Sequence, residues 1–335
     1  MNFAIIGCGR ISKNHIEALI NNLENCSLVT VCDIVEDRAN ERKKQYENNV
    51  VNCNVKVHTD YVNMLENENI DIVSICTESG YHAKIAIDCL NAGKHVLIEK
   101  PMTMSIEDAD KVNNLAKEKG LKVGVCHQNR FNPPIQKLRR AIEEGRFGKL
   151  INLTARILWT RDQNYYDQAS WRGTKELDGG TLMNQCIHNI DLLQWMVESE
   201  IERVHCERGT FLRDIEMEDF GAILIRFKNG TIGLIEGSAC VYPKNLEETL
   251  SVFGEKGTVV IGGLAVNKIQ TWQFADERDY DKENQSTEID NVYGNGHTPL
   301  YKDFIEAVKK NRKPYIDGLD GKKAIDIILK GYSLS

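Results

Sequence analysis

The sequence predicts an α/β protein in two parts: a doubly wound parallel sheet, then an α+β domain whose sheet is mostly antiparallel. Three observations predict it. Over the first 126 residues, short β-rich runs alternate with amphipathic helical segments, the signature of a parallel sheet covered on both faces. A glycine-rich turn directly follows the first run. Beyond Cys126 the texture changes to long β-type segments, several joined by short turns, as hairpins require. At 335 residues the chain is long for one core, so two domains are expected, 1–126 and 127–335.

The elements follow in order. NFAIIG is a strand, ISKNHIEALINNL a helix, LVTVCD a strand, VEDRANERKKQYE a charged helix and VKVH a short strand. DYVNMLEN, HAKIAIDCLNAG and SIEDADKVNNLAKEKG continue the helices, while IDIVSIC, KHVLI and LKVGVC continue the strands. IDIVSIC is nearly all apolar, as a strand buried on both faces should be. After the polar HQNRFNPP come one helix (IQKLRRAIEEG) and the segments LINLTARILWT, IERVHCERGTFL, FGAILIRF, TIGLIEGSACVY, TLSVFG and GTVVIG. KNG at 228–230 reads as a hairpin turn, 180–197 as one amphipathic helix, and 276–287 as a solvated excursion. Helices near 299–310 and 321–330 close the chain.

A net charge of −7 excludes a broad basic face, and with it nucleic acid or an anionic membrane as partner. The N-terminus shows no basic leader with an apolar core, and no apolar run approaches spanning length, so a cytoplasmic protein is expected. Ten cysteines are scattered without a C-x-x-C pair, which reads as buried reduced thiols and no metal.

The turn Gly7-Cys-Gly9-Arg10-Ile11-Ser12 sits between a strand and a helix, where a dinucleotide fingerprint belongs. Gly7 permits the tight turn, Gly9 lets a pyrophosphate approach the amides of the helix N-terminus, and Ser12 is small enough for the third position. Asp33 ends the second strand at the distance expected of a carboxylate that receives the adenosine ribose hydroxyls. No arginine follows it directly, so NAD is favoured over NADP. A lone Asp33 could instead cap the VEDRAN helix.

Glu99 and Lys100 end the fifth strand, at the mouth of the crevice that such sheets offer to ligands. Here the chain resembles the oxidoreductases grouped with glucose-fructose oxidoreductase and inositol dehydrogenase, the Gfo/Idh/MocA family. AGKHVLIEKPM (92–102), QNRFNP (128–133) and GGTLMNQCIHNIDLLQW (179–195) carry the resemblance. It implies a Rossmann domain, a second domain with a large open sheet, and a nicotinamide cofactor. It also implies that Lys100 reaches the reacting carbinol oxygen and that Glu99 contacts the nicotinamide ribose. Thr77 and His82 match the turn along the cofactor, although Glu78 and Ser79 replace the usual Pro-Asn. Gln128 is assigned to the cofactor and Arg130 to the substrate. The family's D-x-x-x-H appears here as Asn184 and His188, whose i, i+4 spacing puts both on one helical face. Without a carboxylate at 184, His188 is more readily neutral and able to act as base, while Lys100 stabilises the alkoxide.

The segment 159–188 resembles more narrowly the branch that oxidises the 3-hydroxyl of UDP-N-acetylglucosaminuronic acid, through YYDQ, WRGT, D-G-G and the asparagine. Arg161 and Arg172 offer planar forks for carboxylate or diphosphate, and Tyr165, Tyr166 and Trp171 offer flat faces for a ring. His297 is placed along the same cleft. The expected function is therefore NAD-dependent oxidation of that sugar nucleotide, with a free polyol or another sugar nucleotide as alternative substrate. A non-catalytic NAD-binding sensor is the alternative of another class. Exposed apolar positions on ILIRF and TIGLIEG predict a homodimer or homotetramer.

Overall fold

The computed structural model describes residues 1–283, 285–288 and 294–333. The chain divides into two compact units. The first comprises Met1–Cys126 and His297–Lys322; the second comprises His127–Gly296 and Lys323–Ser335. The tail expected with the second domain is thus shared between both.

In the first unit, strands β1 (Asn2–Ile6), β2 (Ser27–Cys32), β3 (Lys56–His58), β4 (Ile72–Ile75), β5 (His95–Ile98) and β6 (Val123–Val125) form one sheet in the order β3-β2-β1-β4-β5-β6. Every pair is parallel. The order reverses between β1 and β4, where such sheets open a crevice at their carboxyl ends. Helices α1 (Ser12–Ile20), α2 (Glu36–Glu47), α3 (Tyr61–Asn67), α4 (His82–Asn91) and α5 (Ile106–Lys119) make the crossovers. α5 shows its ends in its sequence: Ser105 accepts from the Asp108 amide (3.1 Å), and Gly120 closes the helix at φ +66°.

The last helix before 310 explains why the tail divides. Leu300, Tyr301, Phe304 and Ile305 form one buried face of that helix, and Tyr301 stacks on Phe3 of β1 with ring centroids 5.4 Å apart. These side chains fill the first unit's core, so the segment belongs there despite its distance in sequence.

The second unit adds helices α6 (Pro133–Glu143), α7 (Gln163–Asp167), α8 (Gly180–Asn184) and α9 (Ile187–Val197). The tail helices are α10 (His297–Lys309) and α11 (Gly318–Tyr332). Its strands are β7 (Leu150–Leu158), β8 (Ile201–Gly209), β9 (Phe220–Phe227), β10 (Ile232–Ser238), β11 (Glu247–Gly254), β12 (Gly257–Gly262) and β13 (Lys268–Phe274), in the order β13-β12-β11-β7-β10-β9-β8. Only β7 and β10 run parallel; the KNG turn closes the β9–β10 hairpin. One face carries the core, including Leu153, Ala155, Ile157, Ile223, Ile225, Leu250 and Val252. Leu224 and Leu234, cross-strand partners, lie exposed on the alternate positions, and Ile151 is exposed at the start of β7.

Three expectations are corrected. The helix foreseen over 180–197 is broken into α8 and α9, because the Thr181 carbonyl accepts from both Gln185 N (2.9 Å) and Cys186 N (3.1 Å). The second bond is the wide i, i+5 type that ends the α register. The excursion 276–287 is anchored: the Asp281 carboxylate receives both Arg146 forks (2.6 and 2.8 Å) and the Trp272 indole (2.7 Å), and Tyr280 is buried. β13 was not foreseen as a strand, since KIQTWQF alternates weakly and half of it is polar.

Candidate active site

β1 delivers the chain to Gly7, whose φ is +88° and whose added Cβ would meet the backbone of Cys76 and Thr77 at 2.6 to 2.7 Å. No side chain fits there. At Gly9 an added Cβ would meet nothing within 4 Å, so this side of the turn is open. Ser12 Oγ donates to the Gly9 carbonyl (2.6 Å), folding the turn into α1. Ile11 precedes α1 without a side-chain cap, which leaves the helix amides for an anion. Arg10 is exposed beside it. An open cradle at a helix N-terminus fits the pyrophosphate of a dinucleotide.

Asp33 does not cap α2. Its Oδ2 accepts from Cys8 N (2.7 Å) and its Oδ1 from Val35 N (2.8 Å), tying the glycine turn to the end of β2. Each oxygen retains a lone pair for a ribose hydroxyl.

At the ends of β4 and β5, Thr77 lies in the turn that meets Gly7, with its hydroxyl near the Glu78 carbonyl (3.3 Å). His82 is fully buried, with Nδ1 2.8 Å from the Pro101 carbonyl and Nε2 3.1 Å from that of Thr77. Burial pushes the ring's pKa down, so a neutral His82 donates to one of these carbonyls and packs against the other. That is a scaffold role in place of the cofactor contact expected. The Lys100-Pro101 peptide is cis, and Lys100 is half-buried.

Glu99 is buried at the centre of a polar cluster. Its Oε1 lies 2.9 Å from His15 Nε2 and 3.5 Å from His297 Nε2, and its Oε2 accepts from Lys100 N (3.1 Å). Burial opposes its ionisation, but the hydrogen bonds from His15 and His297 outweigh burial and hold the carboxyl well below the usual range. His297, expected on a substrate-facing loop, is instead the buried first residue of α10 and faces Glu99.

In the second unit, paired glycines bring α8 onto the sheet. Gly221 and Gly237 are cross-strand partners, and Cβ atoms there would meet Leu182 and Cys186 at 2.5 to 2.6 Å. This seating carries Asn184 and His188. The Asn184 amide donates to Asp178, a buried carboxylate that also accepts from Gly173 N (2.7 Å). So an acid does stand behind position 184; D-G-G was its signal, and the sequence reading gave Asp178 no role. His188 is half-buried and meets the His127 ring edge to face at 5.9 Å.

Gln185 links this corner to the 159–172 segment, donating to Tyr165 Oη (3.1 Å) and accepting from Arg161 Nε (3.2 Å). The Tyr165 ring has Arg172 at 4.2 Å and Arg161 at 5.1 Å, and Arg172 also lies over Trp171 at 4.6 Å. Arg161, Tyr165, Trp171 and Arg172 are therefore brought together. Tyr166 packs edge to face on Tyr165 with centroids 5.2 Å apart, but it is buried beneath the cluster, and burial pushes its hydroxyl up. Arg130 is also corrected. It is buried in a two-pronged pair with Asp191 (2.7 and 2.6 Å) and stacks on Trp195 at 4.9 Å, leaving its fork no role toward a substrate. Gln128 is buried, and its side-chain carbonyl has no hydrogen-bond partner among the described residues.

Two family models match the chain: an oxidoreductase family with an NAD-binding Rossmann fold over residues 1–127, and a GFO/IDH/MocA C-terminal domain over 135–260. The WlbA dehydrogenase from Bordetella pertussis, solved with NADH and UDP-GlcNAcA, is 36% identical with a TM-score of 0.89, covering 99% of this chain and 94% of that one. This chain belongs to the Gfo/Idh/MocA oxidoreductases. A second family member, the WlbA dehydrogenase from Chromobacterium violaceum, is 36% identical with a TM-score of 0.91 over 100% and 93%. Among curated Gfo/Idh/MocA relatives, a myo-inositol 2-dehydrogenase of Thermotoga maritima is 28% identical over 342 residues, 99% of this chain and 95% of its own length. The protein is an NAD-dependent dehydrogenase acting on a hydroxyl group of a sugar or polyol. That sets aside the non-catalytic sensor.

Proposed function

We propose that the protein oxidises the 3-hydroxyl of UDP-N-acetylglucosaminuronic acid to the ketone. The observation that carries this is the 36% identity, over nearly the whole length of both chains, to two dehydrogenases solved with NADH and UDP-GlcNAcA. The Arg161, Tyr165 and Arg172 stack supports it, since it joins two fixed cations to an aromatic face, as a ring next to carboxylate and diphosphate requires.

Bound NAD supplies the hydride acceptor. In this proposal His188 takes the hydroxyl proton as the hydride leaves C3, and Lys100 stabilises the developing alkoxide with its ammonium. Asn184, held by Asp178, positions the substrate beside His188. Gly7, Gly9, Arg10, Ile11, Ser12, Asp33, Thr77 and Glu99 hold the cofactor. The protein works as a homo-oligomer joined through the sheet face bearing Leu224 and Leu234.

A second reading, oxidation of a free polyol, rests on the full-length likeness to the T. maritima inositol dehydrogenase. Purified protein with NAD and a panel of polyols and sugar nucleotides, followed at the absorbance of NADH, separates them. Turnover of UDP-GlcNAcA with none of inositol is expected; the reverse overturns the proposal. Lys100→Ala and His188→Ala should each abolish turnover. If His188→Ala stays active from pH 6 to 9 while Lys100→Ala is dead, Lys100 is the base.

A further inference from the structure

The His15 contact with Glu99 is the end of a longer buried chain of hydrogen bonds in the first unit. Ser74 Oγ on β4 lies 2.6 Å from Tyr301 Oη on α10; that hydroxyl lies 2.6 Å from His15 Nδ1 on α1; and His15 Nε2 lies 2.9 Å from Glu99 Oε1 at the end of β5. All four side chains are buried.

With Glu99 ionised and His15 neutral, the chain has one assignment of its protons. An ionised carboxylate only accepts, so His15 Nε2 carries a proton. Burial lowers the His15 pKa more than Glu99 raises it, so the ring is neutral and Nδ1 is an acceptor. Nδ1 must then receive the Tyr301 proton, and the Tyr301 oxygen must receive that of Ser74. Every polar atom is satisfied, with direction Ser74 to Tyr301 to His15 to Glu99. Reversing any link would turn a lone pair toward the carboxylate.

Also facing Glu99 are His297 on α10, the Lys100 amide, His82 on α4, and the thiols of Cys76 after β4 and Cys126 after β6. Burial pushes both thiols well up, so they stay protonated. The negative charge of Glu99 is therefore fixed at the carboxyl end of β5, beside the β1 and β4 switch point where dinucleotides bind.

We propose that Ser74, Tyr301 and His15 are positioning residues that keep Glu99 a carboxylate, and that its charge favours the oxidised, cationic nicotinamide over the reduced, neutral one. The device would set the redox balance of bound cofactor from side chains outside the glycine turn. It does not depend on which sugar is oxidised.

The test omits the sugar, so a wrong substrate assignment cannot affect it. The intact protein and its Tyr301→Phe and Ser74→Ala variants are titrated separately with NAD and with NADH, following protein fluorescence. Tyr301→Phe removes the proton that fixes the His15 tautomer and leaves the ring packing in place. NAD should bind about fivefold more weakly, the loss expected for one hydrogen bond between neutral groups, while NADH changes by less than about twofold. Ser74→Ala should shift the same ratio in the same direction by less, and it decides the matter should Tyr301→Phe not fold. Equal weakening of both cofactors, or no change in either, overturns the proposal by reducing the chain to a packing role. In cofactor-free protein, nitrogen NMR of the His15 ring should show a neutral imidazole protonated on Nε2 between pH 6 and 8. An imidazolium, or a proton on Nδ1, also overturns it.

Discussion

The glycine turn of the first unit and the 159–188 segment of the second, each proposed to meet a ligand, are held in different ways. The turn is fixed by backbone: Gly7 fits against Cys76 and Thr77 because nothing larger can, and Ser12 and Asp33 bond to main-chain atoms. The 159–188 segment is fixed by side chains on side chains: Asn184 on Asp178, Gln185 on Tyr165, Arg161 on Gln185. A backbone-built site tolerates almost no change at its few special positions. A side-chain network spreads its dependence and can be retuned.

Substitutions can break or sharpen that contrast. The largest effect is expected outside both, at the ion pair that supports the second unit. Asp191→Ala leaves the buried Arg130 charge without its partner and should cost about 3–5 kcal/mol in urea unfolding. Next comes Gly7→Ala, which forces a side chain into backbone at positive φ. NADH affinity should fall about 100-fold in a fluorescence titration, with about 1–3 kcal/mol of stability lost. Gly9→Ala, with open space around it, should weaken NADH while leaving the unfolding midpoint unmoved.

Glu248 on β11 gives an intermediate effect that varies with pH. Burial pushes its carboxyl up to about 8, opposed by an Asn189 hydrogen bond. The folded chain keeps this proton to about pH 8, whereas the unfolded chain releases it near pH 4.3. Its contribution is therefore full at low pH and is lost as pH rises between these values. From pH 6 to 7 the protein should lose about 1.4 kcal/mol that Glu248→Gln does not, as read from urea unfolding at each pH. The smallest effect is expected at Arg172→Lys, which keeps the charge and loses the planar stack on Tyr165. It should raise the KM for the sugar nucleotide about threefold with little change in kcat.

The contrast also explains what could be read from the sequence. All six strands of the first sheet were visible: the inner ones as apolar runs, and the edge strand β3 from its place between helices of regular length. Gly7, Gly9, Ser12 and Asp33 were legible because backbone constraints leave few residue types at fixed spacing. His15 and Tyr301 were not: they are 286 positions apart, and nothing local marks a histidine on one helix as the partner of a tyrosine on another. Arg130 and Tyr166 looked like ligand groups because composition cannot tell a buried pair or a core ring from an exposed one. His297 was misplaced with the second domain because the return of α10 to the first core depends on tertiary packing of Tyr301 and Phe304. Asp178 was quoted in D-G-G but given no role, since its bond to Asn184 exists only once the Gly179-Gly180 turn folds back against α8.

That return of α10 has a consequence for synthesis. The ribosome must deliver the chain as far as Phe304 before the sheet begun at Asn2 receives its last covering helix, so a nascent polypeptide carries an unsealed apolar face through most of translation. Cutting the gene after codon 126 to obtain a minimal NAD-binding module should yield aggregates, whereas grafting the α10 segment back through a short linker should restore a soluble one.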